Sequence, residues 1–286
     1  MLNKYVISDS QKAQRPEIIH SLKTYCLMTG ITVFDNKIYV TKMDVSQVDV
    51  FQPDTFEMLN PLTVDGLCSP YAIVSCEPNR CLFISDTARQ VIHRVEFPDK
   101  FTRWSIEDES YGLSVTNSFN LLVTLYNTPQ LIEYTPDGTP VRTVDLPENC
   151  CHPIHSIQVD DDTFLVCHGW YGDNLHRVCK INSCGEIKSK YRYKRSFRDP
   201  TRLFLDKFGN VLVSCMDKGT VTMLDPSLAF VGNLVSSRSG LQSPYRMYLD
   251  EGRGQLYVAH NKINVLTNST LSVIALKVLY KSCNKS

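Results

Sequence analysis

A short run of apolar residues recurs six times along the chain, and this repeat constrains the fold more than any other feature. The runs are spaced at intervals of 39 to 47 residues and end in the same register. They are Tyr39–Lys42, Phe83–Asp86, Leu122–Leu125, Leu165–His168, Leu212–Cys215 and Tyr257–His260. A period of this length, built from strand-like segments, is typical of the blades of a β-propeller.

The residues between the runs complete a four-stranded unit. Most units open with a proline followed by a short apolar strand, as at Pro70, Pro153, Pro200 and Pro244. A polar hairpin such as residues 206–210 then precedes the recurrent run, because Gly, Asn and Asp suit tight turns. A third strand, a second turn and a more polar fourth strand end the unit, which is the pattern of an antiparallel blade.

The sequence therefore predicts an all-β fold, a single six-bladed β-propeller of four-stranded antiparallel blades. The predicted blades span residues 21–66, 67–108, 109–150, 151–197, 198–241 and 242–286. Residues 1–20 are expected to be an N-terminal segment that closes the ring, with Lys4–Ile7 adding a strand to a terminal blade.

The units resemble NHL repeats, in which a proline and an apolar strand precede an Asp-x-x-Gly-Asn turn and a second apolar strand. Residues 199–231 are the best match, with Asp206, Gly209 and Asn210 in the turn. Residues 165–179 also resemble uncharacterised stand-alone invertebrate propellers of this type. The resemblance covers nearly the whole chain and implies a six-bladed propeller. NHL propellers include RNA binders, protein-interaction platforms and a few enzymes, so it does not choose among functions.

Charge and cysteine content restrict the environment of the protein. Lys plus Arg and Asp plus Glu each number 30 in 286 residues, so there is no overall attraction to nucleic acid or to an anionic membrane. No signal peptide or membrane-spanning stretch is visible, and the chain has 11 cysteines, several inside predicted strands. We expect a cytoplasmic, monomeric protein with reduced thiols and no membrane partner.

Two pairs of cysteines flank tight turns, Cys76 with Cys81 and Cys179 with Cys184. Each pair is expected to occupy opposing positions of a hairpin, as reduced thiols rather than as a disulfide. Neither pair has the short spacing and the second Cys or His pair of a zinc site. The sequence therefore predicts no metal and no cofactor.

One candidate binding site follows from the geometry of a propeller, because the first strand of each blade lines the central channel. His155, Arg202 and Arg246 lie two positions after the opening prolines of blades four, five and six. Tyr71 and Tyr245 stand one position earlier in blades two and six. Two guanidiniums and an imidazole beside aromatic rings suit a carboxylate, a phosphate or an acidic peptide end. The alternative is that these side chains bond only to strand ends or to acids of adjacent blades.

Polar residues end the recurrent runs of alternate blades, at Asp86, His168 and His260. The second strand of a blade lies too far from the axis for three such residues to converge on one metal ion. We expect them to begin loops at the face of the channel mouth, with His168 and His260 contributing to ligand binding. Trp170, in the loop after His168, is expected either to be an exposed aromatic anchor or to pack on the neighbouring blade.

A basic stretch with interleaved aromatic residues spans residues 188–198. Its basic residues are Lys188, Lys190, Arg192, Lys194, Arg195 and Arg198. Such a composition suits single-stranded RNA, whereas the strict alternation from 188 to 194 is typical of an outer edge strand.

Signals of catalysis are weak in this chain. It has no nucleophile elbow, no His-Glu-x-x-His motif and no convincing triad among its seven histidines. The expected function is a non-catalytic platform that binds a protein or peptide at one face of the propeller. The first alternative is RNA binding through the basic stretch, and the second is a metal-dependent hydrolase or lyase at the central channel.

Overall fold

The computed structural model describes residues 17–98, 100–169, 177–191, 199–261 and 269–276. These ranges contain 24 β-strands in six four-stranded antiparallel sheets, and one 3₁₀ turn at Ser237–Ser239. The first strands of successive sheets contact one another around a ring. The six-bladed, all-β propeller that the repeats predict is confirmed.

The first three blades are continuous stretches of chain, with strands in order from the channel to the rim. The first blade comprises β2 (Met28–Phe34), β3 (Lys37–Lys42), β4 (Gln47–Phe51) and β5 (Leu62–Thr63). The second comprises β6 (Pro70–Cys76), β7 (Cys81–Asp86), β8 (Val91–Glu96) and β9 (Lys100–Ser105). The third comprises β10 (Ser110–Val115), β11 (Leu121–Leu125), β12 (Gln130–Tyr134) and β13 (Pro140–Asp145).

The remaining three blades have the same internal order. The fourth comprises β14 (Pro153–Asp160), β15 (Thr163–His168), β16 (Arg177–Asn182) and β17 (Ile187–Tyr191). The fifth comprises β18 (Pro200–Leu205), β19 (Val211–Cys215), β20 (Thr220–Leu224) and β21 (Phe230–Val235). The sixth comprises β22 (Pro244–Asp250), β23 (Gln255–His260), β24 (Ser269–Ala275) and, as its outermost strand, β1 (Glu17–Thr24).

The ring closes through the antiparallel pairing of β1 with β24. Ser21 lies opposite Ser272, and their hydroxyl oxygens are 3.0 Å apart. Residues 21–24 therefore belong to the last blade, not to the first blade as the sequence pattern suggested. The segment Lys4–Ile7, expected to supply a closing strand, lies outside the described residues.

The apolar core lies between neighbouring blades. The second strands β7, β11 and β19 are buried throughout, because other blades pack on both of their faces. The first strands approach closely where one residue has no side chain. A Cβ atom on Gly112 would lie 2.6 Å from the carbonyl oxygen of Ile154 and 2.7 Å from Cα of His155, in the next blade. Glycine at this position therefore sets the spacing of blades three and four.

Candidate binding site at the channel mouth

Every blade begins with the same irregularity in its first strand. The pairing with the second strand shifts between the first and third residues, for example between Pro200 and Arg202 in β18. The residues just after the shift are Gly30, Ala72, Gly112, His155, Arg202 and Arg246. Blades one to three therefore have small residues at this position and blades four to six have large basic ones. The small residues leave room for the basic side chains to extend across the channel.

His155 and Arg202 converge on the third blade. His155 Nε2 lies 3.1 Å from the carbonyl oxygen of Leu113, and Arg202 Nη2 donates to the same oxygen at 3.3 Å. His155 Nδ1 accepts a hydrogen bond from the backbone N–H of Leu203 at 3.2 Å, so the proton of a neutral ring lies on Nε2. Burial, and then the charge of Arg202, hold the pKa of His155 well below its usual range. His155 is thus a neutral group that shares the carbonyl oxygen of Leu113 with Arg202 and adds no charge.

Arg246 contacts the first and second blades, whereas Arg202 contacts the third. Its Nε donates to the carbonyl oxygen of Thr29 at 2.5 Å, and its Nη1 donates to that of Tyr245 at 2.9 Å. Its guanidinium carbon lies 4.8 Å from the centroid of the Tyr71 ring, within the range of a cation–π contact.

The two guanidiniums share the channel without an acidic partner. Neither Arg202 nor Arg246 forms an ion pair with an Asp or Glu in the part of the chain that the structure describes. Both are buried, with 8% and 4% of their surface exposed. Burial, and then the positive charge of Arg246, lower the pKa of Arg202 to about 9. At neutral pH the channel therefore holds two positive charges that repel each other.

A column of aromatic rings continues from Arg246 across blades two and three. Tyr71 stacks on Tyr111 with ring centroids 4.3 Å apart, and Tyr111 stacks on Tyr126 at 4.2 Å. His152, which is exposed, extends the column at 4.9 Å from Tyr126. Tyr111 and Tyr126 were not among the expected site residues. Tyr111 nevertheless occupies the same position of its repeat unit as Tyr71. An alignment of the repeats could therefore have predicted that Tyr111 lies beside Tyr71.

Two of the expected ligand-binding residues lie inside the sixth blade. Tyr245 is 6% exposed, packs in an apolar cluster and forms a hydroxyl–hydroxyl hydrogen bond with Ser269. His260 Nε2 is 2.8 Å from the hydroxyl of Ser272, and burial lowers the pKa of His260 to about 4. These two hydrogen bonds are made within the sixth blade, and the apolar cluster of Tyr245 also includes Met28 and Ile31 of the first blade.

The other polar residues at the ends of the recurrent runs also have structural partners. Asp86 accepts hydrogen bonds from the backbone N–H groups of Cys68 and Ser69 and so fixes the end of the connection from β5 to β6. His168 is fully buried, with Nε2 3.4 Å from Sγ of Cys179. Trp170 lies outside the described residues.

Of the two cysteine pairs expected to lie opposite each other in a hairpin, only one does so. Cys76 lies opposite Cys81 in the ladder of β6 and β7, and both are free thiols. Cys179 lies opposite Val166 and Lys190, whereas Cys184 is an exposed turn residue. The expected opposition of Cys179 and Cys184 is therefore wrong, because the chain turns at residues 183–186 and Cys184 lies within that turn.

The basic stretch is described only in part. β17 is the outermost strand of the fourth blade, and exposed Lys188 pairs with Glu186 at 3.0 Å. Lys190 on the same strand is half-buried. The remaining basic residues, Arg192, Lys194, Arg195 and Arg198, lie outside the described residues.

No helix in the described ranges is long and apolar enough to cross a membrane. No protein-family model matches the chain, and no curated protein matches its sequence.

Several solved structures share the fold. Virginiamycin B lyase from Staphylococcus aureus has a TM-score of 0.65 at 10% identity, over 88% of this chain and 98% of that one. A catalytically inactive variant of that lyase with quinupristin has a TM-score of 0.65 at 11% identity, over 91% of this chain and 90% of that one. Hydrazine synthase from Kuenenia stuttgartiensis has a TM-score of 0.59 at 13% identity, over 84% of this chain and 78% of that one. At such identities these similarities show the fold alone.

Proposed function

We propose that this propeller is a binding platform for an acidic segment of a protein or peptide, whose carboxylate binds between Arg202 and Arg246. The observation that carries the proposal is the pair of buried guanidiniums that form no ion pair with a described acidic residue. Burying a cation without an acidic counter-ion costs free energy that its hydrogen bonds to carbonyl oxygens offset only in part, so the pair is costly to the free protein. A carboxylate between the two groups removes their repulsion and accepts charge-assisted hydrogen bonds.

The column of tyrosines supports a peptide as the ligand rather than a small anion. Tyr71, Tyr111 and Tyr126 are half-buried and held rigid by mutual stacking, and Tyr71 contacts Arg246 directly. Stacked tyrosines supply contact area for a main chain or an apolar side chain at little entropic cost. A carboxylate bound at the arginines therefore has an aromatic surface beside it for the residues that precede it.

The proposal is tested with a fluorescein-labelled hexaglutamate peptide, and with hexaglutamine as its uncharged counterpart, by fluorescence anisotropy at low salt. Hexaglutamate is expected to bind more tightly than hexaglutamine. Arg202→Met and Arg246→Met are each expected to weaken its binding by roughly 10- to 100-fold, because each removes a charged hydrogen-bond donor. Arg238→Met removes one exposed positive charge from the 3₁₀ turn and is the matched control.

Two results would contradict the proposal. One is equal affinity for hexaglutamate and hexaglutamine. The other is an equal loss of hexaglutamate affinity in all three variants, which would indicate only long-range attraction between the peptide and the protein's positive charges. A labelled single-stranded RNA of the same charge that binds more tightly than hexaglutamate, without dependence on Arg202, favours RNA binding instead.

A stability measurement separates this role from a structural one. Arg202→Met is expected to leave the free energy of unfolding unchanged or to raise it, because methionine removes a buried, repelled charge while His155 still contacts the carbonyl oxygen of Leu113. Urea unfolding at pH 7 measures this quantity. A loss of 2 kcal/mol or more, roughly that of a broken buried network, would assign Arg202 to structural support instead.

A further inference from the structure

Three potential metal ligands from separate parts of the chain meet between the third and fourth blades. Cys150 lies in the connection from β13 to β14, His168 ends β15, and Cys179 lies in β16. Their ligand atoms all lie within 4.8 Å of one another. The exposed fractions of the three residues are 0%, 0% and 1%, so the cluster is shielded from solvent.

We propose that Cys150, His168 and Cys179 bind a Zn²⁺ ion. Zinc binds thiolate sulfur at about 2.3 Å and imidazole nitrogen at about 2.0–2.1 Å in tetrahedral geometry, which places a sulfur and a nitrogen ligand roughly 3.6 Å apart. Sγ of Cys179 and Nε2 of His168 are already 3.4 Å apart. Sγ of Cys150 lies within 4.8 Å of both of these atoms.

Zinc is bound by thiolates and by a neutral imidazole. Binding of the ion to this cluster would therefore release the thiol protons of Cys150 and Cys179 to solvent. The ion would lie among the two sulfur atoms and Nε2 of His168.

The contacts of the His168 ring leave it free to serve as a ligand. Nδ1 of His168 has no hydrogen-bond partner among the described residues, and Nε2 faces Sγ of Cys179. Three protein ligands leave one position of the zinc tetrahedron open. Half-buried Cys151, the next residue after Cys150, is the nearest further thiol in the sequence.

An ion at this place would join the connection between two blades to the second and third strands of the fourth blade. Cys150 and Cys179 already pack in the apolar cluster that includes Leu122 of blade three and Val166 of blade four. The proposed zinc site does not include Arg202 or Arg246. The test of zinc binding is therefore independent of the proposed peptide binding.

The test uses the whole chain, purified with a reducing agent, stripped with EDTA and desalted. Zn²⁺ is titrated against a chromophoric chelator, and Co²⁺ is titrated in parallel to detect thiolate-to-cobalt charge-transfer absorption. We expect one equivalent of zinc per chain and a rise in the melting temperature on binding. Cys150→Ser and Cys179→Ser are expected to weaken zinc binding at least 100-fold and to lose the charge-transfer band.

Cys167→Ala is the matched control, because Cys167 precedes His168 in β15 but packs in a different apolar cluster, with Val178 and Leu203. It should bind zinc like the unchanged chain. If circular dichroism shows that a cysteine variant does not fold, His168→Gln takes its place, and it too is expected to weaken zinc binding. Zinc binding by the unchanged chain no tighter than by Cys150→Ser would overturn the proposal. So would a Cys150–Cys179 disulfide, found by alkylation and peptide mass mapping in freshly purified protein.

Discussion

Gly112→Ala is expected to lower the free energy of unfolding by about 3 kcal/mol, at the upper end of the range for overpacked cores. The added methyl group would lie 2.6 Å from a backbone oxygen and 2.7 Å from a backbone carbon of the next blade. Backbone atoms cannot rotate away as the end of a side chain can, so blades three and four must move apart. Because the blades form a closed ring, that displacement also opens the contacts of the other blades.

Urea unfolding at pH 7, followed by circular dichroism, measures this loss. The matched control is Gly252→Ala, in the turn between β22 and β23, where the nearest atom to an added Cβ is a carboxylate oxygen of Asp250 at 3.4 Å. The control is expected to change the free energy of unfolding by less than about 0.5 kcal/mol. A Gly112→Ala protein as stable as the control would contradict the close approach of the two blades.

Acidification from pH 7.5 to 4.5 is expected to cost the protein about 2 to 3 kcal/mol of stability through His260 alone. Burial lowers the pKa of His260 from 6.5 to about 4, so the folded state resists the proton that the unfolded chain accepts. As the pH falls below 6.5 the unfolded state binds more protons than the folded state. Stability is therefore complete above about pH 6.5 and is lost progressively towards pH 4.

The measurement is the difference in unfolding free energy between pH 7.5 and pH 4.5 in urea, for the unchanged chain and for His260→Gln. The variant keeps a polar atom near the hydroxyl of Ser272 but cannot titrate. We expect its difference to be smaller by about 2 to 3 kcal/mol, whatever its stability at pH 7.5. His152→Gln, at an exposed position, serves as the control and should retain the full pH dependence. If the unfolding free energy of His260→Gln changes between pH 7.5 and pH 4.5 as much as that of the unchanged chain, the His260 ring is protonated at pH 4.5 in the folded state as it is in the unfolded state.

The fold was predictable because its signals are local and repeated. A turn, an apolar run and a second turn recur in every unit, and each run became the buried second strand of a blade, as in Leu212–Cys215. The position of the strand that closes the ring was harder to predict from the sequence. Residues 21–24 look like the start of the first unit, and only their pairing with β24, at the far end of the chain, assigns them to the sixth blade.

The candidate site was predictable where it depends on position within the repeat. His155, Arg202 and Arg246 were aligned by their offset from proline, and the structure brings them to one channel. Tyr245 shared that offset with Tyr71, yet it packs in the core, because side-chain direction depends on the neighbouring blade rather than on the repeat. The Cys150, His168 and Cys179 cluster had no local spacing to reveal it. Its members come from a connection and two strands that only the packing of blades brings together.

The pairing of β1 with β24 makes closure of the ring depend on two strands that lie far apart in the sequence. Ser21 and Ser272 are separated by 251 positions, so β1 has no partner until the last strand of the ring has been synthesised. A chain that stops before β24 leaves the edge of β1 unpaired and exposes the apolar faces of the first and sixth blades. Exposed edges and apolar faces are what cellular proteases and chaperones act on. Closure of the ring thus distinguishes chains that contain β24 from chains interrupted before it.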